Sequence, residues 1–240
     1  MPILAGIDGT GGGTLPGKKR DVRYDKDFDS PDFNKKSFVN RICQNNTGSL
    51  YRRGPVTLGG GLMRAIDDAV EHIVNSLKNE PNADVLLTGY SRGAAGAVVV
   101  AKRLQKKGIN VKAMMLFDCV DRHLFIDAAV IPNNVGSVLH IRRSKDARSR
   151  ESFGNDGTQW NPPTVYQQQM FKGTHGAMGG TYWKPEGDPP YDPNNPKWRE
   201  IIDEGGIDGK TAMTYAADKE CSDTIWGYVL PFLREHGFYH

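Results

Sequence analysis

Ser91 stands in Gly89-Tyr90-Ser91-Arg92-Gly93, directly after the apolar run Val85-Leu86-Leu87 and just before the small apolar run Ala94 to Leu104. On a sharp turn between a strand and a helix, a serine hydroxyl is thrust out at the carboxyl edge of a sheet. The backbone there is strained, and flanking glycines remove side chains that would clash. The five-residue pattern alone recurs by chance, and the strand before it and the helix after it give it meaning. The chemistry it would support is attack on an acyl carbon. The plainer reading is a Gly-rich turn whose hydroxyl caps the helix.

A serine hydroxyl is a poor nucleophile at neutral pH. It needs a histidine to take its proton and an acid to orient that histidine, and in a strand-turn-helix setting the chain order is serine, acid, histidine. His175 lies in Phe171-Lys172-Gly173-Thr174-His175-Gly176-Ala177-Met178-Gly179-Gly180, read as a Gly-rich loop that places a solvent-accessible base. His140 competes, but its apolar strand makes it a satisfied core residue. His72 belongs to the helix before the serine. Two aspartates compete for the acid. Asp118 follows the apolar run Met114-Met115-Leu116-Phe117, which would shield its carboxylate. Asp146 follows the next strand, among Arg143, Lys145 and Arg148, and would pair with those cations. The balance favours Asp118, with Asp146 kept as the alternative.

An oxyanion formed at the acyl carbon needs two N–H donors. One is expected from Arg92, the residue after the nucleophile, and one from Gly9 or Thr10 in the turn after the first strand. Asp8 can buttress that turn. The same region holds a near match to a phosphate loop, Gly12-Gly13-Thr14-Leu15-Pro16-Gly17-Lys18-Lys19. It fails where the magnesium-binding hydroxyl should be, because Lys19 stands there. No histidine–carboxylate group has zinc spacing, so neither a metal nor another cofactor is expected.

These residues need a sheet to hold them. Ile3–Ile7, Val85–Leu87, Val111–Phe117 and Val135–Ile141 read as buried strands, and Tyr166–Phe171 as a weaker one. Helices are expected near 60–78, with Leu62, Ile66, Ala69, Ile73 and Leu77 on one stripe, near 94–104, and near 222–236, where Pro231 should kink or shorten the last. A weak helical signal lies at Phe38 to Cys43. Apolar strands alternating with helices argue a mostly parallel sheet covered on both faces, in one α/β domain over 1–240 with a Pro/Gly-rich loop around 183–197. Over 240 residues, 38% are hydrophobic and 25% charged, and the net charge is +3, too weak an excess to argue for nucleic acid. No run reaches a spanning length and no cleavable signal peptide is visible. Cys43, Cys119 and Cys221 are too few and too scattered for a disulfide framework. A cytoplasmic protein is expected, with signal-independent export left open.

Four segments in order resemble one family: Ile7-Asp8-Gly9-Thr10-Gly11, Gly89-Tyr90-Ser91-Arg92-Gly93-Ala94, Leu116-Phe117-Asp118-Cys119-Val120 and Gly173-Thr174-His175-Gly176-Ala177-Met178-Gly179-Gly180. The chain is similar over residues 3 to 182 to an uncharacterised α/β-hydrolase domain family that includes type VI secretion phospholipase effectors. The resemblance implies a Ser91–Asp118–His175 esterase on an α/β-hydrolase-like fold. It also implies an ester or phospholipid substrate, peripheral membrane contact and, for secreted members, secretion or immunity partners. The chain departs from the family at Ala177-Met178, where Asp-Val is usual, and at Asp118-Cys119-Val120, which lacks a threonine. These departures bear on the lipid substrate, and a soluble esterase for small esters or an inactive binding protein on the same fold are the alternatives. Tyr182, Trp183, Pro185, Pro189, Pro190 and Tyr191 are read either as a lid with aromatic surface or as a surface excursion.

Overall fold

The computed structural model describes residues 1–10, 37–55, 61–120 and 126–239. Residues Gly12 to Lys19, the near match to a phosphate loop, lie outside them. In chain order the elements are β1 (Ile3–Ile7), α1 (Phe38–Gln44), β2 (Leu50–Arg52), α2 (Leu62–Asn79), β3 (Val85–Tyr90) and α3 (Arg92–Gln105). There follow β4 (Val111–Phe117), β5 (Val130–Ile131), β6 (Val135–Arg143), β7 (Gln159–Trp160) and β8 (Val165–Phe171). The last are α4 (His175–Met178), α5 (Pro196–Arg199), β9 (Ile201–Asp203), β10 (Lys210–Thr214) and α6 (Tyr215–His236).

Six strands form one sheet in the order β2-β1-β3-β4-β6-β8, and every pairing in it is parallel. Successive side chains of a strand point to opposite faces, and the two cores follow that rule. Ile3, Ala5, Ile7, Val85, Leu87, Met114, Leu116 and Val138 pack on one face with the buried stripe of α2 and the buried residues of α3. Leu4, Leu86, Met115, Phe117 and Leu139 pack on the other with α1, α4 and α6. This is the expected α/β-hydrolase-like arrangement, a parallel sheet covered by helices on both faces.

Several elements differ from the sequence reading. The three-residue β2 is too short to show a period. The β9–β10 hairpin is half exposed and its strands are only three and five residues long. The final helix begins at Tyr215 and runs through Pro231. A proline removes the donor to the carbonyl four residues back and crowds it, and here that residue is Gly227. Among the described residues, no helix is long and apolar enough to cross a membrane. The three cysteines are free thiols, two of them buried.

Candidate active site

The carboxyl edge of the parallel sheet gathers the reactive groups, because β3, β4 and β8 all end there. Ser91 follows β3 with φ 57° and ψ −128°, in the left-handed half of conformational space that non-glycine residues avoid. It persists because its surroundings fix it. Its N–H donates to the Phe117 carbonyl at 2.9 Å. A Cβ on Gly89 would lie 2.6 Å from Ala94 Cα, and one on Gly93 would overlap the carbonyl oxygens of Ile7 and Asp8. Only glycine permits helix α3 to start so close to β1.

Ser91 Oγ lies 2.8 Å from His175 Nε2, and His175 Nδ1 lies 2.6 Å from Asp118 Oδ2. Asp118 is the residue after β4, fully buried and also at positive φ. Burial alone would raise its carboxyl, but the hydrogen bond from His175 and the charge of Arg143 outweigh that and hold it at about 2. An ionised Asp118 requires the proton on Nδ1, which leaves Nε2 to accept the Ser91 hydroxyl proton. Burial pushes the imidazole below its ordinary range, opposed by the bond to Asp118, so the ring is neutral near pH 7 and competent as a base.

His175 does not sit in a solvent-accessible loop. It is 8% exposed and opens the four-residue helix α4, capped by Thr174, whose Oγ1 accepts the Ala177 N–H at 3.2 Å. Its carbonyl accepts the Tyr90 hydroxyl at 2.9 Å, and its N–H donates to Ser149 Oγ at 2.9 Å. The Tyr90 and Phe153 rings flank the imidazole, with centroids at 5.1 and 5.2 Å. The glycines of this segment serve contact: a Cβ on Gly179 would lie 2.6 Å from the Tyr90 ring. Ala177 and Met178, where the resembled family has polar and branched residues, are fully buried.

The structure does not bring Asp146 to the imidazole. It is exposed and bonds to Ser144, its Oδ2 accepting the Ser144 hydroxyl at 3.1 Å and its own N–H donating to Ser144 Oγ at 3.2 Å. One of the three cations expected to pair with it, Arg143, has instead turned inward: its Nη1 donates to Asp118 Oδ2 at 2.6 Å. Strand alternation explains this, since Arg143 falls on the same face as the buried Ile141 and Leu139. Sequence reasoning missed Arg143, and its parity with those two residues was the available signal. His140 is buried, accepts the Cys119 N–H at Nε2 (3.1 Å) and meets the Tyr166 hydroxyl at Nδ1 (3.0 Å), as a satisfied core histidine does. His72 lines an open cleft with Arg52, Asp68 and Glu71, away from Ser91.

The turn after β1 lies against the nucleophile, with a Cβ on Gly9 falling 3.2 Å from that of Ser91. Arg92 Nε donates to Thr10 Oγ1 at 2.8 Å, tying this turn to the residue after the serine. Of the two residues expected to complete an oxyanion hole, Gly9 already donates its N–H to Asp8 Oδ1 at 2.7 Å. Asp8 is fully buried and also accepts from Ser37 Oγ (2.5 Å) and the Tyr51 hydroxyl (2.8 Å), a buttress for the turn. Of the aromatic residues after His175, Tyr182 and Trp198 are buried and Tyr191 is exposed. Among the described residues, no group of three His, Cys, Asp or Glu side chains is placed to hold a metal.

No protein-family model matches the chain, and no curated protein matches it. Solved structures to which it is similar include the RedJ thioesterase from the prodiginine biosynthetic pathway in Streptomyces coelicolor. That match has 13% identity over 74% of this chain and 84% of that one, with a TM-score of 0.37. ClbQ from the colibactin NRPS/PKS pathway matches at 10% identity over 99% of both chains, with a TM-score of 0.43. The type II thioesterase BorB from the borrelidin biosynthetic cluster matches at 11% identity over 72% and 85%, with a TM-score of 0.35. All are remote.

Proposed function

We propose that this chain is a serine hydrolase that cleaves a carboxylic ester through an acyl-enzyme. The observation that carries the reading is the unbroken series Ser91 Oγ–His175 Nε2–His175 Nδ1–Asp118 Oδ2, at 2.8 and 2.6 Å, on a serine held at φ 57°. His175 takes the Ser91 proton as Oγ attacks the acyl carbon. The oxyanion that forms is met by the N–H of Arg92, at the start of α3, and by a second N–H from the turn of Gly9 and Thr10 after β1. The imidazolium then gives its proton to the leaving oxygen, the acyl group stays on Ser91, and water repeats the sequence to release the acid.

The substrate class follows from less. The four motifs that resemble the phospholipase-containing family support a lipid ester, and with it peripheral membrane contact and a secretion or immunity partner. A soluble small-ester esterase is favoured by a specific observation: of the aromatic residues read as a lid, Tyr182 is buried and Trp183 half-buried, which leaves Tyr191 as the exposed one. Turnover of a panel of short-chain oxoesters, acyl thioesters and phospholipid vesicles, each against wild type and Ser91→Ala, tests both levels. The proposal expects at least one substrate class to be turned over, with a loss on the order of 10⁴-fold or more in the variant. Equal rates in the two proteins would remove the serine from the reaction, and no turnover of any class would favour an inactive binding protein.

A further inference from the structure

Arg143 ends β6 with its side chain only 5% exposed, which for a guanidinium demands full satisfaction. It is fully used. Nη1 donates to Asp118 Oδ2 at 2.6 Å, Nε to the Ser149 carbonyl at 3.1 Å, and Nη2 to the carbonyls of Arg150 at 3.1 Å and Gly154 at 2.7 Å. Ser149 in turn accepts the N–H of His175 on its hydroxyl oxygen at 2.9 Å. One planar fork therefore holds the carboxylate of the acid and, through Ser149, the main chain of the base. A lysine has one point charge and cannot span these directions.

The guanidinium and the imidazole share a single oxygen, Asp118 Oδ2. When Nε2 takes a proton, the imidazolium forms beside a carboxylate already paired with a fixed cation. That lowers the worth of the Asp118 charge to His175 and adds a like charge close by. We propose that Arg143 is a positioning residue that locks the triad acid and shifts the working range of the His175 base to lower pH, so that turnover persists in mildly acidic surroundings. The inference rests on the serine-hydrolase reading.

The other charged and titratable groups around the ring do not reverse the sign. Asp118 favours the imidazolium but is the group Arg143 compensates. Glu204, reached through Ser149 at 2.9 Å, also favours it, and its charge is met by Arg150 at 3.7 Å. Asp218 touches Thr174 and not the imidazole. His140 accepts an N–H at Nε2 and is neutral. Burial and Arg143 both act against protonation of His175. A general base works best near its own pKa, so a depressed histidine fits a depressed operating pH.

The test is the second-order rate of inactivation by a fluorophosphonate, measured from about pH 4 to 9 for wild type, Arg143→Gln and Arg143→Lys, with folding followed by circular dichroism. In wild type the acid limb should be half-maximal below 6.5, the ordinary value for histidine. In Arg143→Gln it should move up by about one pH unit or more, because the cation is gone. In Arg143→Lys it should stay near the wild-type position while the plateau rate falls roughly tenfold or more, because charge remains and the fork does not. A wild-type limb at or above 6.5, or three coincident limbs differing only in height, overturns the inference and leaves the hydrolase reading standing. Absence of labelling in wild type at every pH overturns both. Should Arg143→Gln not fold, the wild-type limb and Arg143→Lys decide the matter.

Discussion

Asp218 accepts both the N–H and the hydroxyl of Thr174, at 2.7 and 2.8 Å, and Thr174 caps the short helix that begins with His175. The long C-terminal helix α6 thus fixes the candidate base from behind, and Asp218 also takes the Trp183 N–H at 3.1 Å.

Asp218→Ala is expected to strand those donors, costing about 1–3 kcal/mol in unfolding free energy and lowering turnover by misplacing His175. Burial, partly opposed by the bonds from Thr174 and Trp183, raises the Asp218 carboxyl to about 6, from 3.8. A folded value above the unfolded one means the folded state binds the extra proton. Its contribution to stability is therefore full below about 4 and lost as pH rises through about 6. Urea unfolding of wild type and Asp218→Ala at the two ends of that window should show a larger gap at the acid end, and an unchanged gap would contradict the assignment.

Gly93→Ala places a methyl group against the Ile7 and Asp8 carbonyls, where backbone cannot yield cheaply. The expected cost is about 1–3 kcal/mol of stability, with loss of activity out of proportion to it because α3 and Ser91 must shift. Thermal melting and turnover measured together check this, and wild-type activity in the variant would contradict the close approach.

Asp118→Asn should lower turnover by about 10³–10⁴-fold. It should also destabilise the fold by about 3–5 kcal/mol, since the buried Arg143 loses its counter-charge. Adding Arg143→Met should recover part of that stability and none of the activity, a coupling a double-mutant cycle reads directly. Because the Asp118 carboxyl is held at about 2, below its unfolded value of 3.8, its stabilisation is present above that value and lost as pH falls toward 2. Asp146→Asn, at an exposed position, should leave turnover unchanged and stability within about 0.5 kcal/mol.

The strands at the centre of the sheet were legible because each is a nearly unbroken apolar run, and Val111–Phe117 is found with the expected bounds. The order of Ser91, Asp118 and His175 along the chain carried the site, since a parallel sheet sends the ends of β3, β4 and β8 to one edge. What sequence did not show depends on side-chain direction and on long-range packing. Arg143 in a charged stretch looks like surface until the parity of β6 is followed to its last residue. The Gly9 N–H looks available until Asp8 is seen to take it. The Gly-rich run around His175 looks like an open loop. Its glycines instead admit the Tyr90 and Phe38 rings and the Cys221 sulfur.

The most direct test of the central claim is to treat the pure protein with a fluorophosphonate and map the adduct by peptide mass spectrometry. A single stoichiometric adduct is expected on Ser91, absent from Ser91→Ala and formed orders of magnitude more slowly in His175→Ala. An unlabelled wild-type protein, or an adduct on a different residue that persists in Ser91→Ala, would contradict the account.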